Sequence, residues 1–138
     1  MARKTARNRL KDESGQNLVE FALVVPMLLA LLLGIAEFGR AWMTKNILTG
    51  AAREAVRIAV VQGSGGSSII PATARANEVL ASAGITTALV TVTDPGTSFG
   101  TVTATVAYNF PVSVAGLIPG LDISTIPLTS TTTMRREF

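Results

Sequence analysis

The sequence contains no cysteine and no histidine. That removes disulfides, thiolate chemistry, imidazole acid–base catalysis and nearly every zinc-ligand set together. Aromatic residues are 5% of the chain, with a single Trp and a single Tyr, and charged residues are only 15%. With 48% hydrophobic residues in 138, the balance is too apolar for a disordered chain and leans toward the membrane class, and the length allows one small domain or one domain plus a membrane element. The excess of basic over acidic residues is confined to the N-terminus. Residues 1–15 hold Arg3, Lys4, Arg7, Arg9 and Lys11 against Asp12 and Glu13, and the remaining 123 residues carry seven of each sign. Nothing in that neutral body forms a basic stripe able to track phosphates, so no nucleic-acid partner is expected.

What the sequence does have is one long apolar run. Leu18 to Ala36 is LVEFALVVPMLLALLLGIA, with Glu20 its only charge. As a helix it measures about 28 Å, against about 30 Å of bilayer hydrocarbon. Five basic residues precede the run, and Arg40, Lys45 and Arg53 follow it, a bias that places the N-terminus inside and the C-terminus outside. Pro26 removes one helix hydrogen bond and predicts a kink. Ala30 and Gly34, four apart, would let another helix approach closely.

No turn signal follows Ala36. The next 25 residues, 37–61, carry Phe38, Ala41, Trp42, Leu48, Ala52, Ala55 and Ala59 mostly three or four apart, which predicts an amphipathic extension of the same helix. Arg40, Lys45, Arg53, Glu54 and Arg57 are expected to face water. Trp42 falls at the interfacial depth where indole rings settle. Glu37 and Arg40, three apart, predict a modest surface pair that helps anchor the helix at that interface. Gly39 and Gly50 are weak points in a helix.

GSGGSS at 63–68 reads as a linker, with Pro71 at the first position of a short helix that stops at Gly84. The period then changes to two. Leu89 to Thr93 is a short strand, DPG at 94–96 a turn, and Thr101 to Phe110 a strand with Val102, Ala104, Val106, Tyr108 and Phe110 on one face. PVSVAGLIPG at 111–120 is a loop or short turn, and Ile126 to Met134 alternates again. The fold class is therefore α+β: a long N-terminal helix, half of it transmembrane, whose outer half packs on a small antiparallel sheet of about three strands beside one short helix. A sheet this small needs a helix across its apolar face. The implied division is 1–15, a basic leader; 16–36, a transmembrane helix; 37–61, the amphipathic extension; and 62–138, an extracytoplasmic domain.

Catalytic signatures are missing. GSGGSS is no nucleophile elbow, no phosphate-binding loop is present, and Asp94 and Asp122 lack the further acids of a calcium loop. Neither enzyme activity, a cofactor nor a metal is expected.

One constellation remains, at the boundary between leader and apolar helix: Ser14-Gly15-Gln16-Asn17-Leu18-Val19-Glu20-Phe21. A basic leader ending in Gly, four residues, then Glu-Phe and an apolar helix resembles the processing site of type IV prepilins. The longer run GQNLVEFALVVPMLLALLLGIAEFGR is similar to the N-terminus of TadE-like proteins, minor pilins or pseudopilins of the tight-adherence (Tad) pilus, and the ending TSTTTMRRE is also similar to that family. The resemblance implies a pilin-like fold and cleavage between Gly15 and Gln16 by a prepilin peptidase. It implies a role for Glu20, with Phe21 beside it, in subunit assembly. The implied partners are a companion minor pilin, the major pilin, the platform membrane proteins, the assembly ATPase and the bilayer itself, at a bacterial inner membrane. The alternative is a secretory signal peptide with Gly34-Ile35-Ala36 as its cleavage site, releasing a soluble binding or adhesion domain that begins at Glu37.

Overall fold

The computed structural model describes residues 13–62, 66–114 and 123–137. Among these described residues two helices and three strands follow one another: α1 (Glu13–Val61), α2 (Gly66–Ser82), β1 (Leu89–Thr93), β2 (Thr101–Pro111) and β3 (Thr125–Arg135). The leader at 1–12 and the segment 115–122, which includes most of the expected 111–120 loop, lie outside the described residues. The chain forms two compact units that meet between Ala36 and Glu37.

In the first unit α1 is helical throughout its described length and passes through Pro26. No residue from Gly15 to Ala36 is buried. Leu18, Phe21, Met27 and Ile35 are all more than half exposed, a continuous apolar surface that water does not suit.

The second unit is a three-stranded antiparallel sheet in the order β1-β2-β3. Its central strand pairs Val106 with Val90 and Ser130, and Ala104 with Val92 and Thr132, so the period-two pattern puts Val102, Ala104, Val106 and Phe110 on the buried face. On β3, an edge strand, Pro127 is tolerated because an edge has N–H positions that need no ladder partner. Across the buried face lie Leu48, Ala51, Ala52, Ala55, Val56 and Ala59 of α1 with Ala72, Ala76 and Leu80 of α2. Most of these helix positions are alanine, which lets helix backbones come close to the strands. Ser130 is a buried polar residue on this face, and Thr49 answers it with a hydroxyl contact of 2.8 Å.

Two expectations are corrected. The helix α2 begins at Gly66, so the last three residues of GSGGSS are helical and Pro71 sits in the second turn. The first turn holds because Ser68 is buried and its hydroxyl donates to the Asp94 carboxylate at 2.5 Å, a tertiary contact stronger than the local preference. The face of α1 also runs differently. Stepping back from Ala59, Ala55, Ala52 and Leu48 by threes and fours reaches Lys45, Ala41 and Glu37, while Phe38 and Trp42 lie to the side and are 69% and 62% exposed. Lys45, expected in water, reaches the Thr129 carbonyl of β3 instead, while Arg40 stays half exposed as expected and also reaches Ser113 just past β2.

The stop at Gly84 is a Schellman turn. Gly84 takes φ +76°, its N–H reaches the Ala81 carbonyl, and the Ile85 N–H reaches Leu80 at 2.9 Å, with both Ile85 and Leu80 in the core.

Candidate functional site

The residues singled out at the leader boundary all fall on α1. Gly15, Gln16, Glu20 and Phe21 are exposed, and Gln16 and Glu20, four apart, share one face of the helix. The Gly15–Gln16 peptide bond lies within the first turn of α1, which starts at Glu13. A side chain added at Gly15 would meet nothing within 4 Å, and the same holds at Gly34. Ala30 and Gly34 also share a face and are exposed. The described part of the helix is long and apolar enough to cross a membrane, which fits a single-pass membrane protein.

A second group of polar contacts starts at Glu37. Its carboxylate accepts the Ser113 N–H, the Val114 N–H at 3.3 Å and a guanidinium N–H of Arg40. Arg40 in turn donates to the Ser113 hydroxyl at 2.6 Å and lies over the Phe110 ring at 5.2 Å. The expected surface pair is thus one side of a clamp that fastens α1 to the end of β2. Partial burial raises the Glu37 carboxyl, but the hydrogen bonds from Ser113 and Arg40 and the Arg40 charge outweigh it and hold the group below its ordinary value.

The third group was not visible in the sequence. The Arg136 guanidinium meets the Asp94 carboxylate through two nitrogens, at 2.8 and 3.2 Å, and donates to the Ala59 carbonyl at 3.0 Å. Asp94 also accepts from Ser68 and from the Gly96 N–H at 2.9 Å. Both side chains are withdrawn from solvent. Arg136 hydrogen bonds push the Asp94 carboxyl down, against burial, which pushes it up; Ser68 and Gly96 add to the lowering, so the group is held far below the usual carboxylate range. This knot joins the end of α1, the start of α2, the β1–β2 turn and the end of β3. A 42-residue separation hides it from any local pattern, although Arg136 belongs to the TSTTTMRRE ending.

Among the described residues no three His, Cys, Asp or Glu side chains come together as a metal site. Asp94 and Glu37 are engaged by donors of the chain itself. What the geometry offers is an exposed apolar helix with one acid near its start, joined to a small domain closed by two polar clamps. Such an arrangement suits insertion and association.

That combination fits a single-pass membrane protein with a small α+β domain. The family model described as TadE-like protein matches residues 15–57, so the chain is similar to that family over this stretch. The match begins at Gly15, takes in Glu20, Ala30 and Gly34, and runs into the core-facing part of α1. No curated protein and no solved structure matches the chain.

Proposed function

We propose that the protein is a pseudopilin or minor pilin that takes part in assembling a Tad-type pilus used in surface adherence. The TadE-like match over residues 15–57 carries this reading. In it, residues 16–36 span the bacterial inner membrane with the N-terminus inside and residues 62–138 outside, and a prepilin peptidase cuts between Gly15 and Gln16. The work is interaction, without catalysis. The partners are other pilins, including a companion minor pilin and the major pilin, together with the platform membrane proteins and the assembly ATPase.

The physics gives each residue a task. Cleavage leaves an ammonium at Gln16 on the positive end of the helix dipole, where a cation is disfavoured. It needs an acid, and Glu20 needs a cation because a carboxylate near the hydrocarbon is costly alone. Satisfied between neighbouring subunits, the two would set axial register. Phe21 would pack beside that contact, and the open faces at Ala30 and Gly34 would admit a neighbouring helix.

The test is the mass of the mature chain extracted from membranes of a peptidase-positive cell. A start at Gln16 is expected; a start at Met1 or Glu37 overturns the reading. Glu20→Ala should leave insertion and cleavage intact and lower the number of surface pili, and an unchanged number would return Glu20 to a tolerated interfacial acid.

The alternative, release of a soluble binding or adhesion domain after Ala36, draws on one observation: the second compact unit begins at Glu37. Against it stands the TadE-like match, which crosses that bond.

A further inference from the structure

The free edge of β3 is guarded over one half and open over the other. In an antiparallel ladder the N–H and C=O of one residue point to the same side, and that side alternates along the strand. The Arg136 N–H reaches the Gly100 carbonyl at 2.9 Å, and the Ser124 carbonyl accepts the Val112 N–H at 3.0 Å, so even-numbered positions face β2. Odd-numbered positions face away, and the Thr129 carbonyl, which accepts from the Lys45 ammonium, is one of them. In the first half of the strand the outward positions include Pro127, which has no N–H, and Thr129, which Lys45 occupies; proline and lysine are both devices that keep an edge from pairing. In the second half they are Thr131, Thr133 and Arg135, and among the described residues no hydrogen bond reaches their outward backbone groups. Thr131 to Met134 carries neither charge nor proline. An unguarded edge of this kind is a template for another strand.

We propose that this open half pairs with the same half of a second copy of the chain, antiparallel about a two-fold axis at Thr133. In that register Thr133 meets Thr133 of the copy and Thr131 meets its Arg135, so that roughly six backbone hydrogen bonds form and the two sheets become one. Three observations select a second copy. First, the register uses only unguarded positions: neither Pro127 nor the contact between Lys45 and Thr129 has to give way. Second, the solvent face matches. Thr93, Thr103 and Thr133 stand opposite one another across the three strands, and the pairing carries that row on through Thr133, Thr103 and Thr93 of the copy. Threonines set opposite each other make favourable cross-strand pairs, and Arg135 falls beside Thr131 of the copy, away from its own equivalent. Third, the charges complement each other. Two residues past Arg135, the exposed Glu137 comes level with Thr129 of the copy, where the Lys45 ammonium sits, and the symmetry repeats this contact at the other end. A strand from an unrelated protein would fill the hydrogen bonds without supplying either the threonine row or that acid. The pairing draws on the second compact unit alone, so its failure would leave the cleavage and pilus reading as it stands.

The chain has no cysteine, so one substitution introduces one thiol. The full-length protein, purified in detergent, is oxidised mildly as Thr133→Cys and, separately, as Thr129→Cys. At the axis the two Cα atoms would lie about 5.5 Å apart, within disulfide reach, whereas the two copies of position 129 would lie about 27 Å apart. Thr133→Cys should yield a disulfide-linked dimer, and Thr129→Cys only the background of random collision. Adding Thr131→Pro to Thr133→Cys removes an outward N–H without touching the β2 ladder, and it should cut the dimer to that background. Adding Glu137→Lys instead sets like charges together at Lys45 and should lower the yield by about two- to fivefold, the range of one exposed pair. Because Glu137 is exposed, this second variant decides the matter even where the proline variant does not melt cooperatively. Three results overturn the proposal: no dimer from Thr133→Cys; equal dimer from both thiols, which means association elsewhere, as along the apolar helix; or a yield that Glu137→Lys leaves unchanged, which means another register. If the Thr133→Cys thiol is inert in the purified protein and forms a mixed disulfide with a different protein in cells, the occupant is a foreign strand and the second copy is excluded.

Discussion

Asp94 and Arg136 are the residues on which the outer domain depends most steeply. Removing one partner of a buried ion pair leaves the other charge stranded, at a cost of about 3–5 kcal/mol. Arg136→Met should therefore lower the melting temperature by about 12 °C or more, since each kcal/mol is worth roughly 4–8 °C in a domain of this size. The double variant Asp94→Leu with Arg136→Met should recover much of that loss, because apolar replacement of both members is often neutral. If the double variant melted lower than Arg136→Met alone, the stranded charge would not be the cause. The pair also fixes a pH response. The folded Asp94 carboxyl is held far below its ordinary 3.8, so its contribution is complete above that value and is lost as pH falls toward the depressed one. Glu37, also depressed, acts in the same direction. Thermal melts should be flat from neutral pH to about 5 and decline below about 4, and the decline should be shallower in the double variant. None of this was legible from the sequence. Asp94 looked like part of a turn and Arg136 entered only within the TSTTTMRRE ending, because side chains 42 residues apart declare no period.

At the scale of elements, the sequence was most informative where one periodicity held over many residues. The alternation along β2 and β3 and the three-four spacing from Leu48 to Ala59 all came through to the structure. It was least informative where tertiary contacts outweighed local preference: α2 starts before Pro71, and the sheet-facing row of α1 passes through Lys45 and Glu37 because the Thr129 carbonyl of β3 and the Ser113 and Val114 amides just past β2 receive them. Two glycines separate the local and tertiary contributions. Gly50 lies inside α1, and a Cβ there would meet nothing within 4 Å, so Gly50→Ala should stabilise by up to about 1 kcal/mol through helix propensity. Gly84 has equal space but φ +76°, so Gly84→Ala should destabilise by about 1–2 kcal/mol through the left-handed strain alone. Opposite signs in denaturant midpoints would support this account; equal signs would count against it.

For the whole molecule, the decisive fact is that the core draws on residues from Ile47 onward and on none of the described residues before Glu37. A chain begun at Glu37 should therefore stay soluble and melt within a few degrees of the intact protein in detergent. Loss of cooperative melting in that shorter chain would show that the apolar segment supports the fold. The general plan, a helix with an apolar first half and a sheet-covering second half, was legible because hydropathy and period change along one continuous element. The clamps that close the plan were not, because each is a meeting of polar groups from distant parts of the chain.

With no side chain from Gly15 to Ala36 buried, a substitution in that stretch has no core to disturb. Folding is deaf to its spelling beyond apolarity and helix formation, and on the proposed function what listens to it is lipid and neighbouring chains. Sequence drift should then sort the protein into two regimes. Changes after Leu48 would be filtered by whether the domain survives, and changes before Glu37 by whether the company it keeps still recognises it. A collection of random variants, scored separately for abundance and for pilus formation, would separate along that line, with abundance defects gathered on one side of Ala36 and silent, assembly-specific defects on the other.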